Sequence, residues 1–251
     1  MTTGAVSVVN TGNTGKPCAI FNGTDAGLRS TADDVFSGLS QVSISAWINP
    51  KTFNHKPFVS ARDGVNGMEI LTNLGGELFV WLGNGSAGVS LTTTDLNINP
   101  RTWYHVVGTY DGATLKAYKN GVISAQTESQ TGKIGQTTGG LGLGVDNGGT
   151  VYFYGGLANV KIFNKALTQE EITKLAASDN SVKDGLIHNW KLDEDFNDSV
   201  GDVDLTNTNT SLGIIDDAIT TAIEAQRVTA NDKFLIYKGM EGQVGTVAIE
   251  E

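Results

Sequence analysis

The sequence has one cysteine, four prolines and no run of about 18 apolar residues. The single cysteine, Cys18, cannot form an internal disulfide, and its place in the apolar run CAIF predicts a buried structural thiol. Without a long apolar run, we expect no membrane span. The N-terminal stretch also lacks a basic region followed by an apolar one, so we expect no secretory signal.

Basic charge is also scarce. Lysine and arginine number 17 against 27 aspartates and glutamates, which gives a net charge of −10. Binding to a phosphate backbone needs clustered basic residues. The composition therefore predicts an acidic, solvated surface and no nucleic-acid partner.

Glycine is abundant instead. The 32 glycines are about twice the usual share of roughly 7%, which is typical of many tight turns between short strands. The clearest example is Trp103–Ala125, where Asp111-Gly112 and Asn120-Gly121 divide three runs rich in aromatic and β-branched residues. Such dipeptides tolerate the positive φ of tight hairpin turns, so this stretch predicts an antiparallel meander.

Other local patterns predict the remaining elements. Apolar residues alternate in VSISAWINP from Val42, as expected of a strand, and VYFYGGLANVKIFN predicts two strands around Gly155-Gly156. Thr168 and Glu171 form a capping box that predicts one short helix near 169–177. From about Ile214 the apolar spacing predicts a helix, followed by two strands around Met240-Glu241-Gly242.

Four segments resemble one known family. They are AIFNGTDAGLRS, VSISAWINP, WYHVVGTYDGATLKAYKNGV and GGLANVKIFNKALTQEEITKL, and they cover about residues 17–177 in the family's order. The chain resembles the LamG-like (laminin-G type 3) branch of the concanavalin A-like lectin and glucanase superfamily. The resemblance implies an all-β jelly-roll sandwich of two antiparallel sheets with the short helix and, here, a C-terminal appendage.

The chain departs from the family pattern in two places. The family's opening strand, Trp-x-Leu-Asp-Glu followed by Asp-Ser, is absent at the N-terminus, but LIHNWKLDEDFNDSVGDVDLT follows the helix. We favour a circular permutation, in which 186–206 returns as an edge strand, over a truncated second copy. The predicted domains are then a sandwich over 1–213 and an arm or docking segment over 214–251. The second departure is Leu157-Ala158-Asn159, where the family commonly carries an acidic residue.

Enzymatic motifs are missing from the sequence. A retaining glycosidase needs two carboxylates about 5 Å apart, and the Glu-x-Asp-x-Glu motif of the jelly-roll glucanases is absent. Asp193 and Asp195 have a suitable spacing but lie in an acidic turn, which is typical of a solvated surface. The three histidines, His55, His105 and His188, are isolated from one another and fit no metal motif. We predict a protein that is not an enzyme.

Binding residues can still be proposed from the sequence. Jelly-roll lectins use exposed aromatic rings and amides, which makes Trp81, Tyr152, Tyr154 and Asn147 candidate ligand-binding residues. The family analogy suggests Asp25 and Asp193 as calcium ligands, and Asp146 and Asn147 could add loop oxygens. The missing acidic residue at 157–159 weighs against calcium, and we predict no other cofactor.

Two classes of function agree with these features. The first is a structural and binding module on a virion surface, such as a phage head decoration or tail protein, with adhesion to glycans. Its partners would be copies of itself or other capsid or tail proteins. The second is a cell-surface or secreted carbohydrate-binding adhesion protein, for which a signal peptide would be expected. The fold alone cannot decide between them.

Overall fold

The computed structural model describes residues 16–30, 35–36, 38–53 and 55–215, together with the backbone of 233–234 and 249–250. The chain divides into two compact units. The larger comprises residues 17–212, and the other comprises residues 1–16 together with 213–251. In the larger unit two antiparallel sheets enclose one hydrophobic core. The predicted all-β jelly-roll sandwich is confirmed.

The described strands and the helix follow in chain order. They are β1 (Lys16–Asn22), β2 (Gly27–Arg29), β3 (Val42–Pro50), β4 (Pro57–Asp63), β5 (Asn66–Thr72), β6 (Glu77–Asn84), β7 (Gly88–Asn97), β8 (Tyr104–Tyr110), β9 (Thr114–Lys119), β10 (Val122–Ile123), β11 (Glu128–Ser129), β12 (Gly142–Leu143), β13 (Tyr154–Phe163), α1 (Gln169–Ala176), β14 (Leu186–Trp190), β15 (Thr206–Thr208), β16 (Ser211–Ile215), β17 (Lys233–Phe234) and β18 (Ile249–Glu250).

The outer face of one sheet packs against α1, and the outer face of the other carries a polar groove. The helix-side sheet runs in the order β10-β9-β8-β3-β13-β1, with β11 paired to β9 and β14 paired to β13. The groove sheet runs in the order β15-β2-β12-β4-β5-β6-β7. The predicted meander is β8-β9-β10, and its turns lie at Asp111-Gly112 and Asn120-Gly121 as the dipeptides indicated.

Strand β3 shows how the layers are built. Ile44, Ala46 and Ile48 alternate along it and belong to the core between the sheets. The intervening Ser43 and Ser45 are buried as well, because the outer face of the helix-side sheet is covered by a second apolar cluster under α1. This cluster includes Val107 and Phe163 from the sheet and Ile172 and Leu175 from the helix.

The helix begins and ends for local reasons. Thr168 is its N-cap and accepts a hydrogen bond from the Glu171 amide, while the Glu171 carboxylate accepts one from the Thr168 amide. This is the predicted capping box, which satisfies two N–H groups at the helix start. Ile172 and Leu175 form the buried stripe that holds the helix on the sheet.

The prediction of two strands around Gly155-Gly156 was wrong. Residues Tyr154–Phe163 form one strand, and both glycines pair with β1 and β3 inside it. Gly155 has a φ of +150°, and a Cβ built there would lie 2.1 Å from the Asn49 carbonyl oxygen. Glycine here therefore permits close approach of two strands and does not mark a turn.

The segment after the helix pairs with its own chain. β14 lies antiparallel to Val160–Phe163 of β13, while β1 pairs with the other half of the same strand. Trp190 and Leu192 are fully buried in the sandwich core, and the Trp190 indole donates a 2.8 Å hydrogen bond to the Val203 carbonyl. Leu186 packs partly buried against the cluster under α1.

The chain beyond residue 212 is described only in part. Ile214 and Ile215 belong to strand β16 rather than to the start of the predicted helix, and the remainder of that helix lies outside the described residues. β17 pairs antiparallel with β18. The rest of the two predicted C-terminal strands, and most of the predicted arm over 214–251, also lie outside the described residues. In the part of the chain that the structure describes, no helix is long and apolar enough to cross a membrane.

Candidate functional site

A polar groove opens on the outer face of the groove sheet. Its volume is about 260 Å³. Strands β4 and β5 supply Ser60, Arg62 and Glu69 to its lining, and the glycine-rich loop after β12 supplies Asp146, Asn147 and Gly148. Because Ser60 lies opposite Glu69 in the register of β4 and β5, these side chains share one face of the sheet.

Glu69 lies at the base of this groove and is 6% exposed. Burial raises the pKa of its carboxyl above the usual value, against the opposing effects of Ser60 and Arg62. The Ser60 hydroxyl donates a 2.8 Å hydrogen bond to one carboxylate oxygen, and Arg62 Nη1 lies 3.4 Å from the other. The carboxylate is thus held in a fixed position by two donors.

Arg62 links the groove to the neighbouring aromatic ring. Its guanidinium lies over Trp81, with the guanidinium carbon 4.2 Å from the ring centroid. A cation in this position is attracted by the π face of the indole. Trp81 itself lies opposite Glu69 on β6, so the three side chains form one packed row on the outer face.

Asp146 organises the loop side of the groove. One carboxylate oxygen accepts hydrogen bonds from the amides of Thr150 and Val151, and the other accepts one from the Thr150 hydroxyl. The largest single effect on the pKa of Asp146 is partial burial, which acts to raise it. The hydrogen bonds and the positive charge of Arg29 together outweigh burial, so the pKa lies below its usual range. Asn147 then donates its side-chain amide to the Arg62 carbonyl, 3.2 Å away, and joins the loop to β4.

The two carboxyl groups in the groove, those of Glu69 and Asp146, can be compared with the acid and base of a glycosidase. One has a raised pKa and the other a lowered one, which is the pattern of such pairs. Asp146, however, already uses both oxygens to close its own loop, and Glu69 is almost inaccessible. The arrangement offers donors and acceptors for hydroxyl groups and suits binding better than bond cleavage.

The structure places the predicted ligand-binding residues in different positions. Asn147 lies in the groove. Trp81 is not the exposed ring that the sequence predicted, because it is 6% exposed and covered by Arg62. Tyr152 is partly buried and donates its hydroxyl to the Gly149 carbonyl at 2.7 Å. Tyr154 is 36% exposed, and the Lys51 ammonium lies 5.3 Å from its ring centroid.

The predicted calcium ligands are engaged elsewhere. The Asp25 carboxylate accepts hydrogen bonds from the side-chain amides of Asn22 and Asn209, at 2.7 and 2.9 Å. Asp193 is exposed and accepts one from the Glu194 amide. Over the described residues, no group of three or more His, Cys, Asp or Glu side chains could hold a metal ion. Calcium binding stays a prediction from the family analogy.

Three residues of the groove, Ser60, Arg62 and Glu69, were not predicted from the sequence. The signal was present, since Glu69 interrupts the apolar strand GMEILTN and Ser60 interrupts PFVSARD. A charged residue inside an otherwise apolar strand is rarely buried without a partner. Which partner it meets depends on strand register, and the sequence alone does not fix that register.

The comparisons with known proteins agree with this fold. The family model Laminin_G_3, described as "Concanavalin A-like lectin/glucanases superfamily", matches residues 22–173. A comparison with curated proteins gave no match.

Three solved structures are similar to the chain at 18–20% sequence identity. A candidate carbohydrate-binding protein from Bacteroides ovatus has a TM-score of 0.62 at 20% identity; the match covers 80% of this chain and 61% of that one. A heptameric SAP-like pentraxin from Limulus polyphemus has a TM-score of 0.58 at 19% identity, with coverages of 79% and 95%. The binding domain of Paraclostridial Mosquitocidal Protein 1 has a TM-score of 0.53 at 18% identity, with coverages of 70% and 46%. At this level of identity the likeness shows the fold alone.

Proposed function

Because the chain belongs to the Laminin_G_3 family of the concanavalin A-like superfamily, we propose that it is a non-catalytic module that binds a carbohydrate in the polar groove. The match to the Bacteroides ovatus candidate carbohydrate-binding protein supports this proposal. The chain spans 61% of that protein's length, so the proposal concerns the binding step only.

The observation that carries the proposal is the convergence of two separate elements on one groove. A guanidinium, held in position by the buried Glu69 carboxylate, comes from β4, and an amide that carries both a donor and an acceptor comes from the glycine-rich loop. Sugar hydroxyls both donate and accept hydrogen bonds, so they need both kinds of group in fixed positions. The volume of about 260 Å³ lies just below the range of about 300–1,000 Å³ for small-molecule pockets, which suits one or two sugar rings.

Recognition in this groove would rest on hydrogen bonds. The aromatic ring beside Arg62, that of Trp81, is covered by this guanidinium and is almost fully buried, so it offers no open face for stacking. Arg62 and Glu69 hold each other in place, so little side-chain entropy is lost when a sugar binds. We expect selectivity for the pattern of hydroxyl groups on the sugar and weak binding of apolar ligands.

A glycan array with matched variants tests this function. Wild-type protein is expected to bind at least one glycan, and the free sugar is expected to compete. Asn147→Ala removes a groove amide and should weaken that binding about 5- to 30-fold, since a lost hydrogen bond to a fixed partner costs about 1–2 kcal/mol. Asn197→Ala removes an exposed amide that lies outside the groove and donates to Asp195, and this variant should bind as the wild type does. Equal binding by wild type and Asn147→Ala would refute the groove as the site.

The location of this module, on a virion surface or outside a cell, stays a prediction from the sequence. A virion-surface role, with copies of the chain or capsid and tail proteins as partners, agrees with the acidic charge balance and the lone buried cysteine. The alternative is an extracellular adhesion protein. The SAP-like pentraxin in the comparison is heptameric, and the oligomeric state of this protein can be measured by light scattering.

A further inference from the structure

A second cavity lies on the opposite side of the sandwich, between the helix-side sheet and the C-terminal end of α1. Its volume is about 30 Å³. Its polar lining consists of Ser45, His105, Asn159, Lys161, Ser178 and Asn180. We call it the lysine cavity. It shares no residue with the groove and takes no part in the proposed carbohydrate binding.

Lys161 is placed in this cavity by strand register. It lies directly opposite Ser45 in the pairing of β13 with β3, and β13 is irregular between Ala158 and Lys161. Such irregularities change the direction of a side chain and are common beside functional sites. His105 comes from β8, and its Nε2 atom lies 2.8 Å from the Ser45 hydroxyl oxygen. Three adjacent strands thus bring an ammonium, a hydroxyl and an imidazole to one place.

The charge of Lys161 is poorly balanced within this part of the chain. The residue is 4% exposed, and its ammonium donates a 2.8 Å hydrogen bond to the neutral Asn180 side chain. Burial and then the positive charge of Lys183 disfavour the ammonium and lower its pKa, whereas the carboxylate of Asp179 favours it to a smaller extent. Among the described residues that line the cavity there is no acidic side chain. A buried ammonium is costly unless a negative charge accompanies it.

The lysine cavity has the size and lining of a site for one small anion. A cavity needs about 10–15 Å³ to hold a water molecule, so about 30 Å³ accommodates one ion of similar size. The ammonium, hydroxyl and amide groups around it can all donate hydrogen bonds. Trp47 and Leu175 complete the lining and limit the size of the occupant.

We propose that the lysine cavity binds one chloride-sized monovalent anion, held by the Lys161 ammonium and the Ser45 hydroxyl, while His105 Nε2 donates its proton to the Ser45 oxygen. The anion supplies a negative charge that no described residue lining the cavity provides to Lys161. It binds the folded state only, because the cavity exists only when β3, β8 and β13 are paired. The bound ion also fixes the segment 177–180, through Asn180, against the sheet.

Chloride-dependent stability tests this inference. The folding equilibrium constant is measured by urea denaturation while sodium chloride replaces sodium gluconate at constant ionic strength. An anion that binds only the folded state raises that constant in proportion to its concentration above the dissociation constant. We plot the logarithm of the folding equilibrium constant against the logarithm of the chloride concentration. Above the dissociation constant the wild type should show a slope of one, and Lys161→Met should show a slope of zero.

Control variants separate site binding from general salt effects. Lys133→Met removes an exposed positive charge that does not line the cavity, and it should retain the wild-type slope. Ser45→Ala should keep a slope of one, with the rise beginning at a higher chloride concentration. In crystals grown with bromide, an anomalous peak is expected within hydrogen-bonding distance of Lys161 Nζ. A zero slope for the wild type, or the same slope for Lys161→Met as for the wild type, would overturn the proposal.

Discussion

Replacing Lys161 with methionine should make the protein more stable at neutral pH in a low-chloride buffer. The wild-type ammonium is buried beside the sheet and has an amide, Asn180, as its hydrogen-bond partner. Burial, followed by the repulsion of Lys183, lowers the pKa of Lys161 from 10.5 to about 8. Methionine has a similar length and no charge, so it can fill the same space without the cost of burying a charge.

The magnitude follows from the pKa. A change from 10.5 to about 8, at 1.36 kcal/mol per pKa unit, corresponds to about 3 kcal/mol of destabilisation by the ammonium below pH 8. Loss of the hydrogen bond to Asn180 costs about 1 kcal/mol in the opposite direction. Lys161→Met should therefore raise the free energy of unfolding by about 2 kcal/mol at pH 7.

The sign of the pH dependence is distinctive. Between pH 8 and 10.5 the unfolded chain keeps a proton on Lys161 that the folded protein has lost. Stability rises with pH wherever the unfolded state binds more protons. The wild type should thus gain about 3 kcal/mol relative to Lys161→Met over this range, so that the advantage of the variant disappears and reverses.

Urea denaturation at several pH values between 7 and 10.5 measures this effect. Comparing the two proteins cancels the titration of all other groups. Lys161→Arg serves as a control, because arginine stays charged throughout this range and should gain nothing as the pH rises. If the stability difference between wild type and Lys161→Met stays constant with pH, or if the variant is less stable at pH 7, the buried-charge argument is wrong.

Three further substitutions, one of them with a matched control, test the packing. Trp190→Phe removes the indole donor to the buried Val203 carbonyl and should cost about 2–3 kcal/mol of unfolding free energy in urea; a loss below 0.5 kcal/mol would contradict this role. Gly155→Ala places a methyl group against the Asn49 carbonyl and should cost more than about 2 kcal/mol, whereas Gly75→Ala has no atom nearer than 3.5 Å and should be nearly neutral. Arg62→Ala uncovers Trp81 and should shift tryptophan fluorescence to longer wavelength with stronger quenching by acrylamide, whereas unchanged quenching would show that Arg62 does not shield the ring.

Local signals allowed much of the fold to be predicted. The Asp111-Gly112 and Asn120-Gly121 turns and the Thr168–Glu171 capping box depend on residues close together in the chain, and all were predicted correctly. Gly155-Gly156 was misread because glycine serves two purposes. It permits positive φ in a turn, and it also permits close approach of neighbouring strands.

The groove was harder to predict because it depends on pairing between distant strands. Asn147 was named from its loop, but Glu69 acquires its role only when β5 places it between Ser60 and Trp81. The burial of Trp81 likewise depends on Arg62, a residue on β4. Lys161 gave no signal in the sequence, since a lysine within a strand is usually solvated.

Mapping a bound glycan by NMR tests the proposed function most directly. The glycan that binds most strongly on the array is titrated into ¹⁵N-labelled protein, and the changes in amide chemical shift are followed. The largest changes should occur in the groove, at the amides of Gly64, Glu69, Asn147 and Gly148, and should saturate together. Changes that centre on α1 or on the β8–β10 meander while the groove amides stay unmoved would contradict the account.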